Sequence, residues 1–275
     1  MAMNQPPVTP AVARYSKQTV IHKTVWSTEK LFSLTVTRPS GYRFVPGQFA
    51  RLGLALDPAA PETPNEWRAY SMVSGPNENH LEFYSVVVPD GKFSPPLAQL
   101  QVGEALWINN TVFGFLTLDA FVDGEDVWLL ATGTGLSAYL SMLRDPGTFK
   151  RFKRIILVHG VRYAFELAYR NELLLLMQQY PGQLTYLPVT TQEPLTQDLS
   201  PSVSSTGLSP NRLTILLASG ELEQRVGYKL DPSHARVMLC GNPAMVTEMR
   251  GLLSERGFAA GRRGVAGNLA VENYW

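Results

Sequence analysis

Val127-Trp128-Leu129-Leu130-Ala131 is an unbroken apolar run, and Thr132-Gly133-Thr134-Gly135 follows it directly. A strand that is buried on both faces gives such a continuous run, whereas a half-exposed strand alternates. A helical pattern then covers residues 136–144. Strand, glycine turn and helix in this order predict the start of a Rossmann-like parallel sheet covered by helices.

The same alternation of strand and helix continues downstream. Buried strands are predicted at residues 155–159, 184–189 and 236–240, and helices at 166–180 and 244–256. Between Pro194 and Asn211 the chain is polar and has no periodicity, which predicts a mobile loop. We therefore assign residues 121–275 to a parallel α/β domain that ends in a C-terminal tail.

Upstream of residue 120 the pattern is different. Short segments that are β-branched or alternating, separated by glycine and proline, occur at residues 19–21, 31–37, 48–52, 69–73, 81–88 and 105–108. They predict a small antiparallel Greek-key β-barrel at residues 17–120, preceded by a flexible segment at 1–16. Residues 57–66 are proline-rich and predict a loop, and the domain boundary is expected between residues 117 and 125.

Composition narrows the possible classes of protein. A chain of 275 residues fits two domains, and no apolar run approaches the roughly 20 residues that span a bilayer. The polar, proline-rich start does not resemble a secretory signal. Cys240 is the only cysteine, which excludes an intramolecular disulfide and favours a reducing, cytoplasmic setting. A net charge of +1 argues against nucleic-acid binding, and four scattered histidines give no metal-ligand spacing.

The tetrapeptide Arg68-Ala69-Tyr70-Ser71 carries three chemical groups on one short predicted strand. An aromatic ring can stack on a flat cofactor, a hydroxyl can bond a heteroatom, and a guanidinium can bind a phosphate in two-point contact. Taken alone, the same residues also fit an ordinary strand with a packed tyrosine and an exposed serine. A second element, Lys92-Phe93-Ser94, follows a Pro-Asp-Gly turn and predicts a short helix whose start could hold a phosphate or merely close a hairpin.

The predicted parallel sheet carries its own candidate residues at the ends of strands. The turn at Gly133-Thr134-Gly135 is shorter than the full dinucleotide fingerprint, so it is either a phosphate turn or a purely structural one. Arg162 follows the next strand, where nucleotides bind in open α/β sheets. Cys240-Gly241-Asn242-Pro243 ends the last predicted strand, and a buried structural cysteine is the simpler interpretation of Cys240.

These motifs, in this order and together with the final Tyr274-Trp275, resemble the ferredoxin/flavodoxin–NADP+ reductases, specifically the short bacterial type that ends in Tyr-Trp. The resemblance covers the chain from about residue 20 to residue 275. Further matching stretches are residues 81–84, 88–92, 155–159, 219–223 and 271–275. It implies a barrel that binds FAD, an α/β domain that binds NADP, and reversible electron transfer between NADP(H) and a one-electron carrier.

The resemblance also implies a role for individual residues at the flavin. Tyr70 would lie flat on the ring, Ser71 would bond near its N5 edge, and Arg68 would pair with the pyrophosphate. The hydride-transfer site would be formed by Tyr70, Ser71, Cys240 and Glu272. The remaining implied FAD contacts are Ala69, Tyr84, Ser85, Val86, Val87, Lys92, Phe93, Ser94, Thr134 and Trp275.

For NADP the resemblance implies Arg162 as a ligand of the 2′-phosphate, with Thr134, Tyr163 and Cys240 nearby. The family pattern has a second arginine after the next strand, and Gln192 stands at that place in this chain. A third arginine corresponds to Arg212. The loss of one cation weakens the preference for NADPH over NADH, although two arginines still favour NADP.

The implied partners are ferredoxin or flavodoxin, bound by a monomer. The basic clusters at residues 150–154 and 262–263 are either solvated loops or a surface that steers an acidic carrier. Two other functions stay open from the sequence. One is a related flavin reductase, or diaphorase, that reduces small acceptors, and the other is a flavin-binding subunit without enzymatic activity.

Overall fold

A computed structural model describes residues 13–26, 30–195, 210–262 and 265–273. Its first half is an antiparallel sheet made of β1 (Tyr15–Val25), β2 (Leu31–Thr37), β3 (Phe49–Leu54), β4 (Glu66–Ser71), β5 (His80–Val86) and β6 (Ala105–Asn109). The strand order is β4-β3-β6-β1-β2-β5. Beyond the end of β4, Met72 bridges to Phe83 and Val73 N donates to Glu82 O, so the two edge strands nearly close a barrel. The six strands predicted from the sequence are confirmed.

Inward-facing aliphatic and aromatic side chains fill this barrel. Leu34, Leu52 and Phe83 are almost completely buried in its interior. The loop predicted at residues 57–66 ends one residue earlier, because Glu66 already pairs with Leu54 in β4. The helix predicted after the Pro-Asp-Gly turn is present as α1 (Ser94–Gln99).

The second half is a parallel sheet made of β7 (Asp126–Thr132), β8 (Arg154–Val161), β9 (Leu184–Thr190), β10 (Ala235–Gly241) and β11 (Leu269–Asn273). Its order is β11-β10-β7-β8-β9, and every neighbouring pair is parallel. Leu129 faces one hydrophobic core and Trp128 faces the other, on opposite sides of the sheet. Burial on both faces explains why β7 has an unbroken apolar sequence.

Helices cover both faces of the parallel sheet. They are α2 (Leu136–Leu143), α3 (Pro146–Arg151), α4 (Arg170–Gln179), α5 (Leu213–Ala218), α6 (Glu221–Val226) and α7 (Pro243–Glu255). The helix predicted at 166–180 begins only at Arg170, because residues 164–166 form a separate 3-10 turn and Tyr169 has a left-handed backbone with φ of 58°. The sequence patterns did not predict α3, α5, α6 or β11.

Some predictions fall on residues outside the described ranges. They include most of the polar stretch between Pro194 and Asn211, the segment at 1–12, and the terminal Trp275. The antiparallel sheet ends at Asn109 and the parallel sheet begins at Asp126, while the division of the chain near residue 120 stays a prediction. None of the helices within the described ranges is both long and apolar enough to cross a membrane.

Candidate active site

A cleft with a volume of about 490 Å³ opens between the two sheets. Its walls come from β2 and β5 on one side and from the carboxyl ends of β7, β8 and β10 on the other. In the parallel sheet, β8 and β9 lie on one side of β7, and the later strands β10 and β11 lie on its other side. Ligands of open α/β sheets bind where the strand order reverses in this way.

The floor of the cleft is backbone packed against backbone. A Cβ on Gly241, where φ is +134°, would lie 2.3 Å from Thr132 Oγ1 and 2.6 Å from Thr132 O. A Cβ on Gly135 would lie 2.5 Å from Cys240 O. Gly133 lines the cleft and is different, because apart from its chain neighbours no atom of the described residues lies within 4 Å of its Cβ position. The turn at 133–135 therefore sits tightly on β10 and leaves open space above Gly133 for a ligand.

His159 anchors this turn from below. Its side chain on β8 is fully buried, and Nε2 lies 3.0 Å from Gly133 O. Burial lowers the pKa of His159 to about 4, against a smaller opposing effect of the Gly133 carbonyl. The imidazole is therefore neutral at neutral pH, with Nε2–H donating to Gly133 O. From the sequence, His159 was only one of four scattered histidines without metal-ligand spacing.

The residues predicted on the flavin side lie on β4, β5 and the start of α1. The Tyr70 hydroxyl is 3.4 Å from Ser85 Oγ, and its ring centroid is 5.9 Å from that of Phe93. Ser94 Oγ accepts a hydrogen bond of 2.9 Å from Val88 N, so this hydroxyl is already engaged. Tyr84 and Val86 line the cleft. Arg68 is half exposed, with Nη1 2.7 Å from Trp67 O and 3.5 Å from Glu66 Oε2, and Lys92 is exposed. Ala69 lies on β4, and Val87 directly follows β5.

Ser71 of the antiparallel sheet and Glu272 of the parallel sheet form a polar pair between the two sheets, outside the set of residues that line the cleft. Glu272 lies on β11, directly beside Cys240 of β10, and its carboxyl faces the Ser71 hydroxyl of the other sheet without an ordinary hydrogen-bond geometry. Burial raises the pKa of Glu272 to about 7, and the Ser71 hydroxyl opposes that rise. Cys240 is fully buried in the strand, which suits close packing rather than nucleophilic attack.

The raised pKa of Glu272 predicts a pH-dependent stability. Between pH 4.5 and about 7 the folded protein retains a proton that the unfolded chain has lost, so the free energy of unfolding decreases as pH rises through this window. We expect Glu272→Gln to remove this decrease, which is on the order of 3 kcal/mol at most. Urea unfolding of the flavin-free protein at several pH values measures it. The exposed Glu255→Gln is the control, and an unchanged slope in Glu272→Gln would contradict the assignment.

Two arginines line the opposite end of the cleft. Arg162 follows β8, and Arg212 immediately precedes α5. Arg162 Nη2 lies 3.5 Å from Glu166 Oε1, while Glu166 Oε2 accepts from the backbone N–H groups of Arg162 and Tyr163 at 2.8 and 3.2 Å. The Arg162 side chain is 68% exposed, so this ion pair is weak and leaves the guanidinium available.

Gln192, which stands where the family pattern has an arginine, is brought beside Arg162. Its backbone N–H donates to Arg162 O at 3.0 Å, and the preceding Thr191 lines the cleft. Thr214 is a cleft residue that sequence reasoning missed, and its buried hydroxyl has no hydrogen-bond partner. A threonine two residues after the arginine, at the start of a short helix, was the available signal.

The basic cluster at 150–154 is largely neutralised by its neighbours. Arg154 Nη2 is 2.8 Å from Asp126 Oδ2, Lys153 Nζ is 3.0 Å from Glu125 Oε2, and Arg151 Nη1 is 3.8 Å from Asp119 Oδ1. Most of the positive charge of this cluster is therefore paired with carboxylates of the same chain and is less available to attract an acidic carrier protein. In the part of the chain that the structure describes, no group of three or more His, Cys, Asp or Glu side chains could hold a metal ion.

A nearly closed antiparallel sheet, a parallel sheet and a cleft at the reversal of strand order form an architecture that suits nucleotide binding. Residues 129–251 match the family model described as "Oxidoreductase NAD-binding domain". The chain is 39% identical over 249 residues to the flavodoxin/ferredoxin–NADP reductase of Escherichia coli (strain K12), covering 90% of this chain and 94% of that protein. It is 36% identical over 269 residues to ferredoxin–NADP reductase A of Sorangium cellulosum, covering 95% and 90%.

A solved structure agrees with these relatives. The ferredoxin NADP+ reductase of Neisseria gonorrhoeae, with bound FAD and NADP, superposes with a TM-score of 0.84 at 32% identity. The match covers 96% of this chain and 100% of that one. The chain belongs to the ferredoxin/flavodoxin–NADP reductase family, which confirms the resemblance found in the sequence.

Proposed function

We infer that this protein transfers electrons between NADP(H) and ferredoxin or flavodoxin through a bound FAD. The observation that carries this conclusion is that residues of both sheets line the same cleft. It places Tyr84 and Val86 of the antiparallel sheet opposite the turn at 133–135 and Arg162 of the parallel sheet. One cleft can therefore bring two cofactors face to face.

The residues at the cleft fit a flavin. Among the described residues, the buried hydroxyls of Tyr84 in the cleft and of Ser71 beside Glu272 have no hydrogen-bond partner, and such groups are normally satisfied in the functional state. We propose that Tyr70 stacks on the flavin, that Ser71 bonds near its N5 edge, and that Arg68 pairs with the pyrophosphate. The other proposed FAD contacts are Ala69, Tyr84, Ser85, Val86, Val87, Lys92, Phe93, Ser94 and Thr134.

When bound, FAD accepts a hydride from NADPH and passes electrons on singly, and the protein supplies position and electrostatics. The missing side chain at Gly133, which lines the cleft, leaves space above the turn that suits the approach of a nicotinamide. The Glu272 carboxyl, with its pKa near 7, can hold a proton beside Ser71 Oγ. Tyr70, Ser71, Cys240 and Glu272 are thus the proposed hydride-transfer residues.

NADP(H) is proposed to bind through cationic and polar groups at the other end of the cleft. Arg162 and Arg212 are suited to the 2′-phosphate, because a guanidinium makes charge-assisted contacts with phosphate oxygens. Thr134, Tyr163, Gln192 and Cys240 complete the proposed NADP contacts. The single amide at Gln192 contributes no charge, so preference for NADPH rests on the two arginines.

The remaining proposals concern organisation and setting. Residues 17–120 would bind FAD, and residues 121–275 would bind NADP, with the tail returning so that Trp275 stacks on the FAD adenine. The alternative for the tail is that it shields the nicotinamide site. We propose a cytoplasmic location because the lone cysteine suits a reducing compartment. A monomer is proposed because the family resemblance implies one.

A first experiment separates an enzyme from a flavin-binding subunit. The purified protein is mixed with FAD, separated from free flavin, and then titrated with NADPH without oxygen. We expect about one FAD per chain and loss of the oxidised flavin absorbance on addition of NADPH. Failure to retain FAD would refute the proposal, and retention without reduction would favour the binding subunit.

A further inference from the structure

A buried polar network connects the two sheets behind the cleft. The Tyr169 hydroxyl lies 2.5 Å from Ser33 Oγ of β2 and donates to Glu82 Oε1 of β5 at 2.8 Å. Tyr169 itself belongs to the parallel half, immediately before α4. One phenolic hydroxyl therefore joins two strands of the antiparallel sheet to the parallel half of the chain.

Arg144 extends this network from the end of α2. Its Nη1 donates to Glu82 Oε2 at 2.7 Å, while its Nε and Nη2 form a two-point contact with Glu172 at 2.7 and 2.8 Å. The Arg144 side chain is only 16% exposed. Since α2 begins directly after the glycine turn at 133–135, its far end is fixed to β5 by a shared carboxylate.

The network also contacts a wall of the cleft. The Tyr169 ring meets the Tyr84 ring edge-on, with centroids 5.5 Å apart and planes at 81°. The Trp26 ring packs on the Tyr169 ring with centroids 4.6 Å apart, and Trp26 Nε1 donates to Ser33 Oγ at 2.9 Å. A shift of Tyr169 would therefore move the side chain of Tyr84, which lines the cleft.

The polar groups of this network are better suited to fixing the relative orientation of the two sheets than to increasing the stability of the fold. Replacing buried ion pairs by apolar side chains often leaves stability unchanged or raises it. Directional hydrogen bonds specify one arrangement of the groups they join. Tyr169 also retains a left-handed backbone that non-glycine residues rarely adopt, which indicates that the surroundings hold it in place.

We propose that Tyr169 and Arg144 are positioning residues: through Glu82 they hold the parallel sheet against the antiparallel sheet at the separation that hydride transfer across the cleft requires. This inference rests on the proposed function. It concerns the geometry between the cofactor sites and not the contacts that either cofactor makes. A displacement of about 1 Å can lower the rate of a positioned reaction by roughly 100-fold.

The test is Tyr169→Phe in the FAD-loaded protein, which removes the hydroxyl and keeps the ring. Flavin reduction at saturating NADPH is followed by rapid mixing, and the NADPH dissociation constant and the FAD content are measured separately. We expect the rate of reduction to decrease at least about 10-fold, while affinity and FAD content change less than about twofold. Tyr186→Phe is the matched control, because Tyr186 is buried and its hydroxyl has no hydrogen-bond partner among the described residues.

A second variant tests the shared carboxylate. Glu82→Gln should slow reduction by itself, and its effect should not add to that of Tyr169→Phe if both act through one contact. Hydrogen exchange of the flavin-free variants gives a reading that does not depend on activity. Amides of β5 and of the start of α4 should exchange faster in Tyr169→Phe and remain unchanged in Tyr186→Phe.

A normal reduction rate in Tyr169→Phe would overturn the proposal, and so would equal losses in Tyr169→Phe and Tyr186→Phe. A rate decrease that merely follows lost FAD would also overturn it. The wild-type protein separates these outcomes from failure of the proposed function. If NADPH does not reduce the wild-type flavin, the function fails, whereas the ratio between variants tests the positioning role.

Discussion

Gly241→Ala is expected to abolish most NADPH-driven flavin reduction. The added Cβ would lie 2.3 to 2.9 Å from the hydroxyl oxygen, carbonyl oxygen and amide nitrogen of Thr132, and the backbone of Gly241 has φ of +134°. Two of these three neighbours are backbone atoms, so β7 or β10 must shift where they meet the turn at 133–135. We expect reduction to slow by about 100-fold and the free energy of unfolding to fall by roughly 3 kcal/mol.

The chain provides a matched control for this substitution. Gly251 lies within α7, and apart from its chain neighbours and the backbone of that helix no atom of the described residues is within 4 Å of its Cβ position. Gly251→Ala should keep full activity and raise the free energy of unfolding by about 0.5–1 kcal/mol, since alanine is the better helix former. Rapid-mixing kinetics and urea unfolding measure both variants. If Gly241→Ala reduces its flavin at the wild-type rate, the close packing of turn and strand has no role in the reaction.

Arg162→Ala is expected to raise the KM for NADPH by about 10-fold to 100-fold and to leave the KM for NADH nearly unchanged. A charge-assisted hydrogen bond to phosphate contributes roughly 1.5–3 kcal/mol, and each 1.4 kcal/mol is tenfold in affinity. Glu166 competes for the same guanidinium at 3.5 Å, which places the expected effect toward the lower end.

Steady-state kinetics with both nucleotides measure this selectivity. Lys150→Ala is the control, because it removes the same charge from an exposed site away from the cleft. Gln192→Arg tests the reverse change and should lower the KM for NADPH, since it restores a cation beside Arg162. Equal effects of Arg162→Ala on NADPH and NADH would show that Arg162 does not bind the 2′-phosphate.

Much of the fold could be predicted because burial leaves a local signal. The unbroken apolar sequence of β7 reflects burial on both faces, and Phe32, Leu34 and Val36 recur at every second position of β2 because they face the core of the barrel. The helices α5 and α6 gave no such signal, because each has six residues and a break at Ser219-Gly220 separates them. Strand β11 was also missed, since its pairing with β10 depends on a contact distant in the sequence.

The candidate site was predictable where a motif lies on one strand or turn. Thr134 and Arg162, which follow predicted strands, line the cleft, and so do Tyr84 and Arg212, which the family resemblance implied. The network around Tyr169 was not predictable in this way, because no local pattern records that a tyrosine will meet Ser33 and Glu82.

The central claim is that one cleft converts hydride transfer from NADPH into single-electron delivery to a carrier protein. The most direct measurement uses the FAD-loaded protein with NADPH and monitors the reduction of ferredoxin or flavodoxin, compared with small acceptors such as ferricyanide. The account predicts rapid NADPH-dependent reduction of at least one carrier that saturates with carrier concentration. Reduction of ferricyanide with no transfer to either carrier would contradict it and identify a diaphorase.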